Sequence, residues 1–506
     1  MSGSTPVKAE IVRAEIVEAE IVAWLTARTD KAIETACAHV FLGKDAAWKI
    51  KRHADLGYAD FSTPERRKWA LDRELEFNKP AAPDIYRAVR KITREADGSL
   101  AIDGRGDAIE HVLEMRRFDE SQVLAARPET VTGDLAEALG RMIADFHLTA
   151  PLRPAGGLAA LSFTVGSNAQ LLRETCEGLD RDRVETMLAL TEIELERQAP
   201  LLAHRAAAGF ARRCHGDLHL GNILLETGRP VLFDCIEFND VLSDLDVQYD
   251  LAFLLMDLDF RGRRDAAVRA LSAYLDQAAR GFPAEIWEGL ASLPLMLSVR
   301  AAVRAHVCAH SGEPAAARAY VEAAIAHLSP APPTLVAVGG LSGSGKSHFS
   351  RAIAPSLGAS PGAVILRTDE IRKRLLNIPP TRTMDPASYT APFYARTYDT
   401  MVDNARALLT AGCSVVLDAT FIDPGLRSRV EALAADCGVP FRAAWMDGPI
   451  AVLEARVAGR NGDASDATVA VLHEQAARLK TPVGWPMVDA QLSTDEAASA
   501  WTSGRD

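Results

Sequence analysis

The sequence predicts two domains of different class: an α+β domain that turns helix-rich in its second half, then a parallel α/β domain. Three observations carry this. A chain of 506 residues exceeds what one hydrophobic core ordinarily serves. A stiff, non-helical break, Ser329-Pro330-Ala331-Pro332-Pro333, divides it. Beyond the break, short apolar runs alternate with helical patterns, as a parallel sheet with crossover helices requires. Those runs are Thr334-Leu335-Val336-Ala337-Val338, Val364-Ile365-Leu366, Ser414-Val415-Val416-Leu417 and Phe441-Arg442-Ala443-Ala444-Trp445.

The elements follow in order. Ala-Glu-Ile-Val recurs at 9–12, 14–17 and 19–22. Five residues match neither the helical nor the strand period, so a frayed, charged helix running into Trp24-Leu25 is expected. Val40-Phe41-Leu42 and Ala46-Ala47-Trp48-Lys49-Ile50-Lys51 flank the turn signal Gly43-Lys44-Asp45, which predicts a hairpin. Ser62-Thr63-Pro64-Glu65 opens a helix, with a cap candidate before proline. Strands are expected around 85–93 and 109–116, with Asp97-Gly98 as a turn. Residues 121–210 read as mostly helical, Val231-Leu232-Phe233 as a short strand, and 246–328 as helical and alanine-rich. The domains are thus expected at 1–328 (small lobe about 20–120, helical lobe about 121–328) and 334–506, joined by 329–333.

Composition bounds the function classes. Hydrophobic residues at 48% and charged residues at 25% are ordinary globular values. A formal charge of −12 argues against a constitutive nucleic-acid binder. The seven cysteines are scattered singly with no CxxC pair, which fits reduced thiols better than disulfides or a zinc site. No signal peptide and no apolar run of membrane-spanning length is evident, so the cytoplasm is the expected compartment.

The first chemical constellation is His215-Gly216-Asp217-Leu218-His219-Leu220-Gly221-Asn222, followed by Leu232-Phe233-Asp234. Phosphoryl transfer needs a carboxylate near the acceptor hydroxyl, oxygen ligands for magnesium and a cation on the nucleotide phosphates. Asp217 fits the first role, and Asn222 and Asp234 fit the metal. Lys49 and Lys51 alternate onto one face of their strand, so either fits the cation. Lys49 is preferred because Ala47-Trp48-Lys49 resembles the kinase pattern Ala-x-Lys. Glu74 is the preferred helix partner, with Glu76 as the alternative. Glu237 and Asp240 read either as a solvated acidic turn or as auxiliary metal groups.

These residues resemble the aminoglycoside phosphotransferase-like group of small-molecule kinases over roughly 20–328. The resemblance implies a bilobal protein-kinase-like domain, a loop-supporting role for His215 and a structural role for Asp250 in anchoring the catalytic loop. Two features depart from the pattern. No Gly-x-Gly-x-x-Gly occurs in the small lobe, and Asp234 is followed by Cys235-Ile236-Glu237-Phe238 where Phe-Gly is usual.

The second constellation is Gly340-Leu341-Ser342-Gly343-Ser344-Gly345-Lys346-Ser347, a complete P-loop between a strand and a helix pattern. Backbone N–H groups of Gly340, Ser342, Gly343, Ser344 and Gly345 can wrap phosphates at the helix N-terminus. Lys346 would reach the β- and γ-phosphates, and Ser347 would hold magnesium. Asp369, at the carboxyl end of the second strand, can orient or deprotonate an acceptor hydroxyl, or cap a helix. Asp418 ends another strand as a Walker-B-like magnesium support. Arg456 and Arg460, one helical turn apart, can clamp the moving phosphoryl group or lie on a solvated face. Arg372, Lys373 and Arg374 read as an anionic-substrate patch or as surface.

This half resembles the P-loop kinases of the zeta-toxin, polynucleotide-kinase and gluconate-kinase type over about 334–485, with Ser465-Asp466-Ala467 part of the likeness. Lys480 and the tail are expected as surface or lid trim. Together the resemblances imply an ATP- and Mg²⁺-dependent phosphotransferase with two sites, each serving a small-molecule hydroxyl acceptor. The alternatives are a polynucleotide or nucleotide-sugar kinase in the second half, or one domain sensing nucleotide and gating the other. His306 and His310 lack a third ligand at metal spacing and read as surface or packing residues. Arg300 and Arg304 face the first site or serve ion pairs in the helical lobe.

Overall fold

The computed structural model describes residues 5–35, 37–55, 59–174, 178–380, 382–388, 390–459, 465–479 and 483–504, without the side chains of 5–15 and 386. Packing resolves the chain into two compact units, Met1–Arg127 with Cys214–Asp244, and Pro128–Arg213 with Leu245–Asp506. This division does not follow the linker at 329–333, because helices before that linker share a core with the sheet after it.

The first unit is built on a six-stranded antiparallel sheet. Its order is Lys31–Glu34, Ala38–Leu42, Ala46–Lys51, Asp107–Arg116, Tyr86–Arg94 and Leu100–Ile102. Strand alternation sends Phe41, Ile50 and Val112 to one face, and Leu42, Ala47 and Leu113 to the other. The helix Thr5–Thr26 covers the first face through the fully buried Ile21 and Leu25. Its C-terminal part, from Val17 to Leu25, is therefore docked. A five-residue repeat turns a helix by about 140°, so equivalent isoleucines diverge: Ile16 is 62% exposed and Ile21 is buried. Burial of each such side chain is worth about 1.5–3 kcal/mol. The helix Pro64–Asn78 covers the second face through Leu71. It starts where the hydroxyl of Thr63 accepts the Arg66 N–H, with proline at the first turn. The hairpin Ile223–Glu226 and Arg229–Leu232 completes this unit, and Leu224 joins the same cluster.

In the second unit the helices Gly133–Thr149, Leu158–Glu174, Arg181–Ala207, Val247–Phe260, Arg264–Ala278, Leu293–His310 and Pro314–His327 precede a parallel sheet. Twelve consecutive residues from Val247 to Leu258 are buried, as in a core helix. The sheet order is Val364–Arg367, Val415–Asp418, Leu335–Gly340, Phe441–Asp447 and Met487–Asp489, all parallel. Helix Arg264–Ala278 seals the helical part to this sheet. Val268 lies in one cluster with Val336, Phe349 and Ile365, and the Ser272 hydroxyl accepts the Ile365 N–H at 3.1 Å.

Two expectations need correcting. The tail is not trim: Met487–Asp489 adds an edge strand, and Thr494–Ser503 packs Ala497 and Trp501 against Phe349. A three-residue strand is too short for its periodicity to register. Lys480 lies outside the described residues. Among the described residues, one stretch, Glu285–His310, is long and apolar enough to cross a membrane by length and composition, and 78% of its window is buried inside the molecule. Packing between helices accounts for that apolar character.

Candidate active sites

The first site lies within the first compact unit. Lys49 points from its strand to Glu74 Oε1 at 2.7 Å and Asp234 Oδ1 at 2.9 Å. The Asp234 side chain, still 45% accessible, is set among protein atoms that push its carboxyl up; Lys49 outweighs them, and the net shift is downward. Burial opposes the charge on Lys49, but Asp234, Glu74 and Glu237 hold its pKa well above the ordinary lysine value. Both groups are therefore charged through neutral pH. Asp234 adopts a left-handed backbone (φ 62°), uncommon outside glycine though aspartate tolerates it better than most residues. It is secured by its N–H to Tyr86 Oη at 3.0 Å, while the next N–H, of Cys235, donates to Asn78 Oδ1 at 2.8 Å.

The catalytic-type loop is held by His215. Its Nε2–H donates to the Phe233 carbonyl at 3.0 Å, and its Nδ1 accepts the Asp217 N–H at 3.3 Å, which selects one tautomer. Gly216 (φ 85°) is required: a Cβ there would lie 2.8 Å from the Leu242 carbonyl oxygen. Asn222 Nδ2 donates to the Asp217 carbonyl at 2.9 Å and to Asp217 Oδ2 at 2.8 Å. Asp217 keeps 37% of its side chain accessible, so the carboxylate is positioned yet open. The structure thus joins Asp217 to Asn222 and joins Asp234 to Glu74 through Lys49, with Asp217 near enough to Asp234 to push its carboxyl up. The carboxylate and carboxamide oxygens of Asp217, Asn222 and Asp234 are the hard donors that suit magnesium.

The sequence offered Lys51 as the alternative to Lys49 and Glu237 as a solvated or metal-side acid, whereas the structure engages both lysines and buries Glu237 against Lys51. Lys51 bonds Glu74 Oε2 at 2.8 Å and Glu237 Oε1 at 2.5 Å, with both side chains buried. Glu237 is thus neither a solvated turn residue nor open to metal, and burial pushes its carboxyl up against the pull of Lys51. Asp240 pairs with Arg73. Glu76 has no part in this network among its described contacts. Asp250, in the second unit, is fully buried and bonded to His147 at 3.1 Å.

The second site lies at the carboxyl ends of the parallel strands. Strand Leu335–Gly340 runs into the loop, and helix Lys346–Ile353 begins at its end. Gly343 (φ 83°) has no room for a side chain: a Cβ would meet the Leu453 carbonyl at 2.5 Å. The Ser344 hydroxyl is buried without a hydrogen-bond partner, as suits a loop built to receive phosphate oxygens. Lys346 Nζ donates to the Leu341 carbonyl at 2.8 Å. Ser347 Oγ donates to Asp418 Oδ2 at 2.6 Å, so the two candidate magnesium ligands touch.

Other candidates surround them. Asp369 follows the second strand, in the first turn of helix Thr368–Leu375, and pairs with Arg372 at 3.0 Å. The N-cap position is Arg367, so Asp369 does not cap this helix. A Cβ on Gly345 would lie 3.9 Å from an Arg456 guanidinium nitrogen, which places Arg456 beside the loop. Arg460 lies outside the described residues. Lys373 and Arg374 are not a free patch: Lys373 pairs with Asp466 at 3.2 Å and Arg374 with Asp276 at 2.5 Å. Two residues were missed. Gln475 Oε1 accepts the Ser342 N–H at 2.8 Å, and Arg367 contacts both Ser347 and Asp418. Neither belongs to a motif, so no sequence signal marked them. Arg300 stacks over Tyr249, and Arg304 over Tyr320, inside the helical part.

The family model described as Phosphotransferase enzyme family matches residues 63–286, and that described as AAA domain matches residues 335–482. The uncharacterized proteins Rv2004c of Mycobacterium tuberculosis and Mb2027c of Mycobacterium bovis are each 32% identical over 464 residues, 88% of this chain and 89% of theirs. Similar solved structures include an ethanolamine kinase of Plasmodium vivax (10% identity, 59% of this chain and 80% of that one, TM-score 0.36). They also include the APS kinase CysC of Mycobacterium tuberculosis (20% identity, 34% and 97%, TM-score 0.26). A gluconokinase of Sinorhizobium meliloti is similar too (23% identity, 34% and 92%, TM-score 0.24). The chain is an ATP-dependent kinase, an aminoglycoside-phosphotransferase-like domain followed by a P-loop kinase domain, and it belongs to one family with these mycobacterial proteins.

Proposed function

We propose that this protein carries two working phosphotransfer sites, in domains spanning 1–328 and 334–506. Each transfers the ATP γ-phosphoryl to a hydroxyl of a small molecule of the sugar, amino-alcohol or aminoglycoside-like class, in consecutive steps on one compound. The observation that carries this is the pre-set polar pairing at both sites: the ion pairs of Lys49 with Glu74 and Asp234, and the hydrogen bond from Ser347 to Asp418. In the first site Lys49 would hold the nucleotide phosphates and Asp217 would orient the acceptor hydroxyl and take its proton. Asn222 and Asp234 would hold magnesium. In the second site Lys346 and the loop amides would hold the phosphates, Ser347 and Asp418 the magnesium, and Asp369 the acceptor. Arg456 and Arg460 would face the moving phosphoryl group. Magnesium, when bound, neutralises charge on the β- and γ-phosphate oxygens. The six described cysteines are free thiols, which supports a cytoplasmic setting.

The test is incubation with Mg-ATP and a small-molecule cell extract, read by mass spectrometry, beside Asp217→Ala and Asp369→Ala. A doubly phosphorylated product that falls to a monophosphate in one variant supports consecutive transfer. Separate products on unrelated compounds would end that part of the reading.

A second reading has its own support. Arg351, on the P-loop helix, pairs with Glu137 at 2.9 Å, and Arg374 with Asp276 at 2.5 Å, joining the P-loop half to helices of the preceding half. In that reading the P-loop half senses nucleotide. Lys346→Ala would then change the rate at the first site without abolishing any separate reaction.

A further inference from the structure

Arg367 is the last residue of the second parallel strand, paired in register with Asp418 on the neighbouring strand. Its side chain is buried, and it reaches three groups at once. Nε lies 3.3 Å from Asp418 Oδ2, one terminal nitrogen donates to Ser347 Oγ at 3.2 Å, and the other donates to Glu370 Oε1 at 3.0 Å. The first two are the oxygens read above as magnesium ligands. A fixed monovalent cation therefore sits on the same carboxylate oxygen and the same hydroxyl that a divalent cation would use.

The geometry points to Arg367 as a built-in counter-ion of the P-loop metal pair, which magnesium must displace from Asp418 and Ser347 when it binds with nucleotide. The inference rests on the P-loop half binding Mg-nucleotide. Three physical arguments support it. Asp418 is buried, and a buried carboxylate without a partner is costly, so a resident cation keeps the site folded. Ser347 Oγ already donates to Asp418 and accepts from Arg367, so a metal on that hydroxyl would sit against the guanidinium charge. Finally, Glu370 offers Arg367 a second carboxylate on the following helix turn, so it can yield Asp418 without losing every partner.

The consequence is a coupling between magnesium and nucleotide set by a protein cation. With Arg367 present, nucleotide alone meets a compensated site and magnesium pays the displacement. With Gln at 367, Asp418 is uncompensated, so nucleotide alone meets net negative charge while magnesium meets an open ligand.

The experiment is calorimetric titration of the full chain with ADP across a magnesium series, the P-loop event being the one that Lys346→Ala removes. In Arg367→Gln the magnesium concentration for half-maximal tightening falls roughly fivefold or more, and magnesium-free ADP binding weakens, so their ratio widens. Glu370→Gln moves the other way, because Arg367 loses the carboxylate that competes with Asp418 for it; its half-maximal magnesium concentration rises. That opposite sign still decides the matter should Arg367→Gln fail to fold. If Arg367 only braces the fold, Arg367→Gln weakens ADP equally with and without magnesium and Glu370→Gln leaves the magnesium midpoint in place; either result overturns the proposal. If Lys346→Ala removes no ADP-binding event, the P-loop reading fails with it.

Discussion

Lys51 and Glu237, 186 residues apart in the chain, meet as a buried ion pair 2.5 Å long, beside the Lys49–Asp234 pair at 2.9 Å. The segment that carries Asp234 is thus tied to the small-lobe strand twice, once through the candidate metal ligand and once three residues later.

That second tie predicts a separation of roles. Lys49→Met lowers the first-site rate by about a hundredfold or more while the fold persists, because the proposed phosphate cation is lost. Lys51→Met instead destabilises the first unit by about 3–5 kcal/mol, since it leaves Glu237 buried and unpaired. The double variant Lys51→Met/Glu237→Leu recovers most of that loss. Denaturant unfolding of the three proteins checks this; equal unfolding midpoints for Lys49→Met and Lys51→Met would contradict it.

The two proposed nucleotide sites predict a countable stoichiometry. Titration with a non-hydrolysable ATP analogue and magnesium gives two binding events in the wild type. Lys346→Ala and Lys49→Met each remove a different one, weakening it about tenfold or more. A single event that both variants weaken alike would leave one working site.

Acid stability follows from two histidines of the helical part. Burial, with Arg304 and His310 adding to it, pushes His306 down to about 4. Burial also pushes His327 to about 4 against the pull of Asp259. In the unfolded chain both titrate near about 6.5. Between these values the unfolded state binds more protons, so stability is complete above about pH 6.5 and falls as pH drops toward 4. Each histidine contributes a slope of about 1.4 kcal/mol per pH unit. Urea unfolding at about pH 7.5 and pH 5 measures the slope, and His306→Gln/His327→Gln should flatten it. The raised carboxyl of Glu370 works in the opposite sense, so it cannot mimic the loss.

The readable parts of this chain are those whose chemistry is set by neighbours in sequence. Asp217 and Asn222 are five apart and bond directly to each other. The P-loop glycines, Lys346 and Ser347 are contiguous, and the strand–loop–helix around them is local. Other features lie outside any local pattern. The Met487–Asp489 strand exists only because Phe441–Asp447 offers it an edge. Lys51 was one of two equivalent lysines until Glu74 and Glu237 were placed around it. Arg367 carries no motif at all, and its meaning comes from Asp418 standing beside it in the sheet.

By itself, then, the amino-acid sequence determined that this is a kinase with two phosphate-handling loops, because loop geometry and ligand spacing are encoded within a few residues. Only the tertiary structure decided which charges meet. It set Lys51 on Glu237, Arg367 on the Ser347–Asp418 pair, and helix Arg264–Ala278 into the core of the following sheet. Buried ion pairs and shared cores are chosen by desolvation and packing over the whole chain, and sequence distance holds no record of them.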